Sequence, residues 1–104
     1  MGFDYGNMMK QAKIMQKKLL EIQKELKEMK FEASAGGGAI KVKVNGEQEI
    51  VEVKINKDMV TAGDLEMIED MMMVAANDAI KQSRDEAKSK MAGLTGGMSI
   101  PGLF

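Results

Sequence analysis

Four lysines, Lys10, Lys13, Lys17 and Lys18, stand between Met8 and Leu20 without a single carboxylate among them. On a helix, Lys10, Lys17 and Lys24 recur every seven residues and share one face, with Lys13 and Lys27 beside them. The chemistry open to such a face is anion binding. Ammonium groups early in a helix oppose its dipole, by a few tenths to about 1 kcal/mol. Together with the orphan N–H groups of the first turn they suit phosphate oxygens. A solvated helix face accounts for the same residues, with Lys17–Glu21 and Lys24–Glu28 as ordinary i,i+4 pairs. A second set of cations, Arg84, Lys88 and Lys90, lies near the end of a later helix and complements its dipole. It adds to the first set only if the fold brings the two together.

Other chemistry is poorly supplied. With no cysteine there is no disulfide, thiolate nucleophile or zinc–sulfur site, and with no histidine there is no imidazole base or common transition-metal ligand. Lys, Asp, Glu, Ser and the single Tyr5 remain, and their spacing forms no catalytic constellation, so neither an enzyme nor a cofactor is expected. The formal net charge is −1, so anion binding must come from local segregation of charge. Gly36-Gly37-Gly38 fails as a phosphate loop: the G-x-G-x-x-G pattern ends on Lys41, and a strand pattern follows where a helix is needed. The twelve methionines read mainly as adaptable packing, within the chain and between subunits. Met71-Met72-Met73 cannot all point inward from one helix.

The elements that carry these residues follow from periodicity. Met8, Ala12, Met15, Leu19, Ile22, Leu26 and Met29 alternate four- and three-residue steps, which predicts a helix of about 23 residues and about 35 Å with one apolar seam opposite the lysines. Asn7 is its expected N-cap. So long a rod is expected to project beyond the core of a 104-residue chain. From Phe31 the period becomes two: Phe31, Ala33, Ala35, then Ile40, Val42, Val44, then Val51, Val53, Ile55, each run alternating with polar residues. Four-residue loops at Gly36–Ala39 and Asn45–Gln48 set Ala33 against Val42, Phe31 against Val44, Val42 against Val51, Ile40 against Val53 and Lys41 against Glu52. Asp64 caps a second helix running to about Met91, with a stripe of Leu65, Ile68, Met72, Ala75, Ala76, Ala79, Ile80, Ser83 and Ala87 that covers the sheet. The class is therefore α+β: a long N-terminal helix, a three-stranded antiparallel meander and a C-terminal helix. Residues 1–91 form one domain, and 92–104, without charge and with four glycines, a loosely ordered tail. No apolar run reaches membrane-spanning length and the start lacks a secretory pattern, so a cytoplasmic location is expected. A chain this small commonly gains stability by pairing with a second copy.

The order and spacing of MMKQAKIMQ, ASAGGG, VKVNGEQEIVEVKI, LEMIEDMMMVAANDAIKQS and MAGLTGGMSIPGLF over nearly the full length resemble the YbaB/EbfC family of nucleoid-associated proteins. A double proline frequent near the end of that family is represented here by Pro101 alone. The resemblance implies an intertwined or tightly packed homodimer with helices projecting like tweezers. It implies double-stranded DNA as the partner, a place in the nucleoid, and a role in organising bacterial chromosomal DNA and sometimes in transcription. Carried onto this chain, the binding residues are Lys10, Lys13, Lys17, Lys24, Arg84, Lys88 and Lys90. The competing reading is a protein-interaction module that uses the methionine-rich helices or the tail, with DNA binding incidental.

Overall fold

The change of period at Lys30 is where helix gives way to sheet. The structure, a computed structural model, describes residues 5–60 and 64–95. In chain order these form α1 (Tyr5–Glu28), β1 (Lys30–Ala35), β2 (Ile40–Asn45), β3 (Ile50–Ile55) and α2 (Leu65–Thr95), with the strands ordered β1-β2-β3 and both pairs antiparallel. The expected α+β architecture is the observed one. The apolar alternation puts Ile40, Val42 and Val44 fully inside, next to Ala33. Each such branched side chain removed from water contributes about 1.5–3 kcal/mol. α2 lies across β1 and β2 and sets Ala75 and Ala79, also fully buried, on that layer. Small residues there let the helix come close. Of the three adjacent methionines, Met71 and Met72 pack against the core and Met73 stays 58% exposed.

Helix ends and one strand register depart from expectation. α1 begins at Tyr5, so Asn7 lies inside the helix rather than at its N-cap. Lengthening a formed helix needs no new nucleus, and Gly6 does not stop it. α2 runs past Met91 to Thr95, because Met91 is buried and Leu94 half-buried beside α1, contacts that outweigh the helix penalty of Gly93. Leu65, counted in the apolar stripe, is 66% exposed at the first position of the helix, before the sheet begins beneath it. The looseness expected of the tail falls, from residue 96 on, outside the described residues.

The β1–β2 register is the expected one, with Ala33 opposite Val42 and Phe31 opposite Val44. The β2–β3 register differs: Val42 faces Val53, Ile40 faces Ile55, Lys41 faces Lys54 and Lys43 faces Glu52. The turn is tighter than expected. Asn45 closes it by donating its N–H to the Glu49 carbonyl at 2.9 Å, and Gln48 takes a left-handed φ of 61°. A bulge beside Lys43 and Val44 then adds one residue on β3. Together these slide the pairing by two, which keeps the apolar face and exchanges the partners on the outer one. There Lys43 stands between Glu32 at 3.8 Å and Glu52 at 3.1 Å, and Lys54 reaches Glu52 at 3.4 Å. Hydrogen bonding to Glu52 raises the Lys43 pKa, and the same bond together with Lys54 lowers that of Glu52.

The helix covers only part of the sheet. α2 does not extend over β3, so Val53 and Ile55, although on the apolar face, are 44% and 43% exposed. The molecule is also long, with extents of 75 × 20 × 16 Å and a radius of gyration of 19.7 Å, against about 13 Å for a compact chain of this length.

Candidate nucleic-acid interface

The length comes from the two helices. Glu25 of α1 accepts an ion pair from Lys90 of α2 at 3.4 Å, while Lys18 and Ile22 line a cleft with Gly93 and Leu94. Moving back along α1 is moving forward along α2, so the two run antiparallel. The first half of α1 extends beyond the end of α2. Every residue from 5 to 18 is exposed, about 21 Å of helix standing clear of the core.

What holds this rod at its base is a clamp of backbone and buried polar groups. The Gly46 N–H donates to the Leu26 carbonyl at 2.7 Å, which also accepts from the Met29 N–H at 3.2 Å as α1 ends. A Cβ on Gly46 would run into the backbone of Leu26, so glycine is required by the closeness of the turn to the helix. From the other side Ser83 of α2, fully buried, donates its hydroxyl to the Asn45 carbonyl at 2.6 Å and accepts from Gln48 Nε2 at 3.1 Å and Gln48 N–H at 3.3 Å. The Asn45 side chain closes the turn on itself, accepting from the N–H groups of Glu47 and Glu49 and donating Nδ2 to Glu49. One hairpin tip thus ties the end of α1 to the middle of α2. By its spacing Ser83 reads only as a small residue of the α2 stripe. A hydroxyl in the middle of a buried stripe was the signal, since a buried polar atom must find partners.

The lysines singled out from the spacing of the first helix are carried on α1. Lys10, Lys13, Lys17 and Lys24 are exposed, on the side of α1 away from the seam that ends in buried Leu26. Among the described residues none of the four has a carboxylate within 4 Å, so the pairs Lys17–Glu21 and Lys24–Glu28 do not form. Exposed i,i+4 pairs yield only about 0.2–0.5 kcal/mol, too little to hold two long side chains in one geometry. Among the described residues no carboxylate neutralises these four ammonium groups.

The second set of cations divides. Lys90 is drawn to α1, half-buried, and its charge is met by Glu25; it shares the open cleft of about 370 Å³ with Lys18, Glu21 and Glu25. Arg84 and Lys88 are exposed, on other positions around α2. They flank Asp85, whose pKa is held below the ordinary carboxylate value first by its hydrogen bond to Lys81 at 2.9 Å and in smaller part by Lys88 and Arg84. Only Lys90 of the three therefore joins the first helix, and it arrives already paired. No group of acidic or imidazole side chains fit to hold a metal ion occurs among the described residues.

The chain is similar to known proteins over nearly its whole length. A nucleoid-associated protein of Clostridium novyi is 45% identical over 103 residues, covering 99% of this chain and 90% of its own. One of Pelotomaculum thermopropionicum is 43% identical over 104 residues, covering 100% and 99%. The crystal structure of an uncharacterized protein from Helicobacter pylori superposes with a TM-score of 0.82 over 91% of this chain and 100% of that one, at 23% identity, which shows a shared fold. A sequence profile of the YbaB/EbfC DNA-binding family matches residues 1–98, and with relatives this similar over their whole length the chain belongs to the YbaB/EbfC DNA-binding family.

Proposed function

We propose that this chain is a nucleoid-associated protein that binds double-stranded DNA as a homodimer, gripping phosphates with its lysine-bearing first helices. Residues 1–91 act as the binding domain, the location is the cytoplasmic nucleoid, and the role is to organise DNA, with effects on transcription following from occupancy. The observation that carries the proposal is the first half of α1: exposed from Tyr5 to Lys18 and bearing Lys10, Lys13 and Lys17, which form no ion pair among the described residues. A rod of this kind offers point charges at several heights and no planar donor pattern for base edges, which suits backbone contact more than sequence reading. The absence of a catalytic constellation in the sequence supports a binding rather than an enzymatic role.

Pairing is supported by the uncovered part of the sheet. Val53 and Ile55, with Ile50 and Val51 next to them on β3 and Met73 on α2, are each between 43% and 58% exposed. An apolar strip on an edge strand invites association, and a second copy presents the same strip in return. Two subunits joined there would present two rods to one duplex. The contribution of Lys24, Arg84 and Lys88 is proposed as secondary, and that of Lys90 as structural.

Sedimentation of the pure protein, followed by retention of duplex DNA at two salt concentrations, tests both halves. The expected result is a dimer that binds duplexes of unrelated sequence, with affinity falling steeply as salt rises. A monomer in solution, or binding insensitive to salt, refutes the proposal.

A further inference from the structure

The face of the sheet turned away from α2 is charged, with Lys30, Lys41, Lys43 and Lys54 against Glu32 and Glu52. Lys43 stands between the two carboxylates, and Lys54 shares Glu52 with it. Lys30 and Lys41 are exposed and form no ion pair among the described residues. The register adds a sharper feature. Lys41 faces Lys54 directly, Ser34 completes the row on β1, and the two lysines border one hollow of about 100 Å³. Like charges opposite one another on neighbouring strands are destabilising. Lysine on an edge strand guards against aggregation, which accounts for Lys54 on β3 but not for Lys41 on the central strand. Folding gains nothing from this pair, whereas a bound anion would.

The four ammonium groups are spread over about 13 by 10 Å of strand surface. A duplex carries one charge per about 1.7 Å of its axis, so a surface of that size meets several phosphates at once. Among the described residues no aromatic side chain stands on this face to stack on a base: Phe31 packs against the core and Tyr5 begins α1. That favours duplex phosphates over a nucleotide or a single strand.

Position separates this face from the rod. Met71 of α2 lies against Gly36 at one end of the sheet, Ser83 meets Asn45 at the other, and Lys90 meets Glu25 of α1 farther on. By the rise of these elements, Lys41 stands about 45 Å from Lys10 along the long axis of the molecule. A duplex held across the rods is narrower than that.

We propose that the Lys41–Lys54 row on the outer face of the sheet holds the phosphates of a second DNA duplex, so that the protein bridges two. This rests on the reading of α1 as the grip on the first.

The test places one duplex on beads and a labelled duplex of unrelated sequence in solution, with the full-length protein between them. The parent is expected to capture the label. In Lys41→Gln/Lys54→Gln, two lost contacts should lower the slope of log capture against log salt by about 1.8, or about 12-fold between about 50 and about 200 mM. Anisotropy with a single duplex should match the parent, and Lys41→Arg/Lys54→Arg should capture as the parent does. Capture by the glutamine variant with the parent's slope overturns the proposal. So does an equal loss of single-duplex affinity, which would mean one duplex lying along the whole molecule. Capture abolished by inorganic phosphate at constant ionic strength overturns it as well, since the row would then be a small-anion site. A parent that holds no single duplex refutes the reading of α1, and this proposal with it. A parent that holds one duplex and never captures a second refutes this proposal alone.

Discussion

Removing Lys10, Lys13 and Lys17 together, each replaced by glutamine, tests the proposed grip most directly. The three lie within two turns of helix, and the stripe from Lys10 to Lys24 covers about 21 Å, near the rise of about six base pairs. Each phosphate contact contributes about 0.9 to the slope of log affinity against log salt, so three lost contacts lower that slope by about 2.7 for one rod and about 5.4 for two. Between about 50 and about 200 mM salt the parent should therefore lose about 40-fold more affinity than the variant with one rod engaged, and about 10³-fold more with two. The fold should be untouched, since all three side chains are exposed and form no ion pair among the described residues. Removing cations from the early turns of a helix should hold Tm level or raise it slightly. Fluorescence anisotropy with a labelled duplex, at four salt concentrations and with two unrelated sequences, gives the slopes, and Lys57→Gln in the exposed turn after β3 is the control. A folded triple variant with the parent's slope would show that the rod does not hold DNA.

The remaining predictions concern what positions the rod and what pairs it. Ser83→Ala removes the hydroxyl that bridges the Asn45 carbonyl and Gln48, which still bond each other at 3.2 Å, and should cost about 0.5–1.5 kcal/mol, seen as a Tm lowered by about 4–8 °C per kcal/mol. Gly46→Ala should cost at least about 2 kcal/mol in urea denaturation, because its Cβ meets the backbone of Leu26 and not a side chain that could move aside. Val53→Asp places a charge in the uncovered strip of β3, and sedimentation should then show a monomer that holds DNA more weakly. The pH profile of stability should be flat between about pH 6 and 9, since the chain has neither histidine nor cysteine. Glu52 and Asp85 have folded pKa values below the ordinary 4.5 and 3.8, so their pairs stabilise above those values and fade as pH falls through the lowered ones. The Lys43 pair stabilises below 10.5 and fades only above its raised pKa. Thermal melts at half-unit intervals check both limbs.

Residue order alone settles the element types, the apolar face of each and the face of α1 that carries the lysines. These are properties of period, and period is set by backbone geometry whatever the partner: seven-residue spacing in α1 and alternation in the strands admit one reading each. The register of β2 on β3 was out of reach because slides of two residues bury the same side chains. The choice rested on the left-handed Gln48 and the bulge, which depend on how Asn45 is held. Helix ends differ from the periodic pattern where tertiary contact decides them, as at Met91 and Leu94 against α1.

The candidate site divides along the same line. That Lys10, Lys13 and Lys17 share an exposed face could be read from their spacing, but that no carboxylate among the described residues pairs with them could not, since Glu21 stood at pairing distance from Lys17 along the helix. Likewise Arg84, Lys88 and Lys90 look alike in sequence, and only the antiparallel packing of α1 on α2 hands Lys90 to Glu25 and leaves the other two in solvent. Local periodicity states which way a side chain points from its own element. Whether another element waits there is a long-range fact, decided here by a glycine turn and a buried serine that join the two helices.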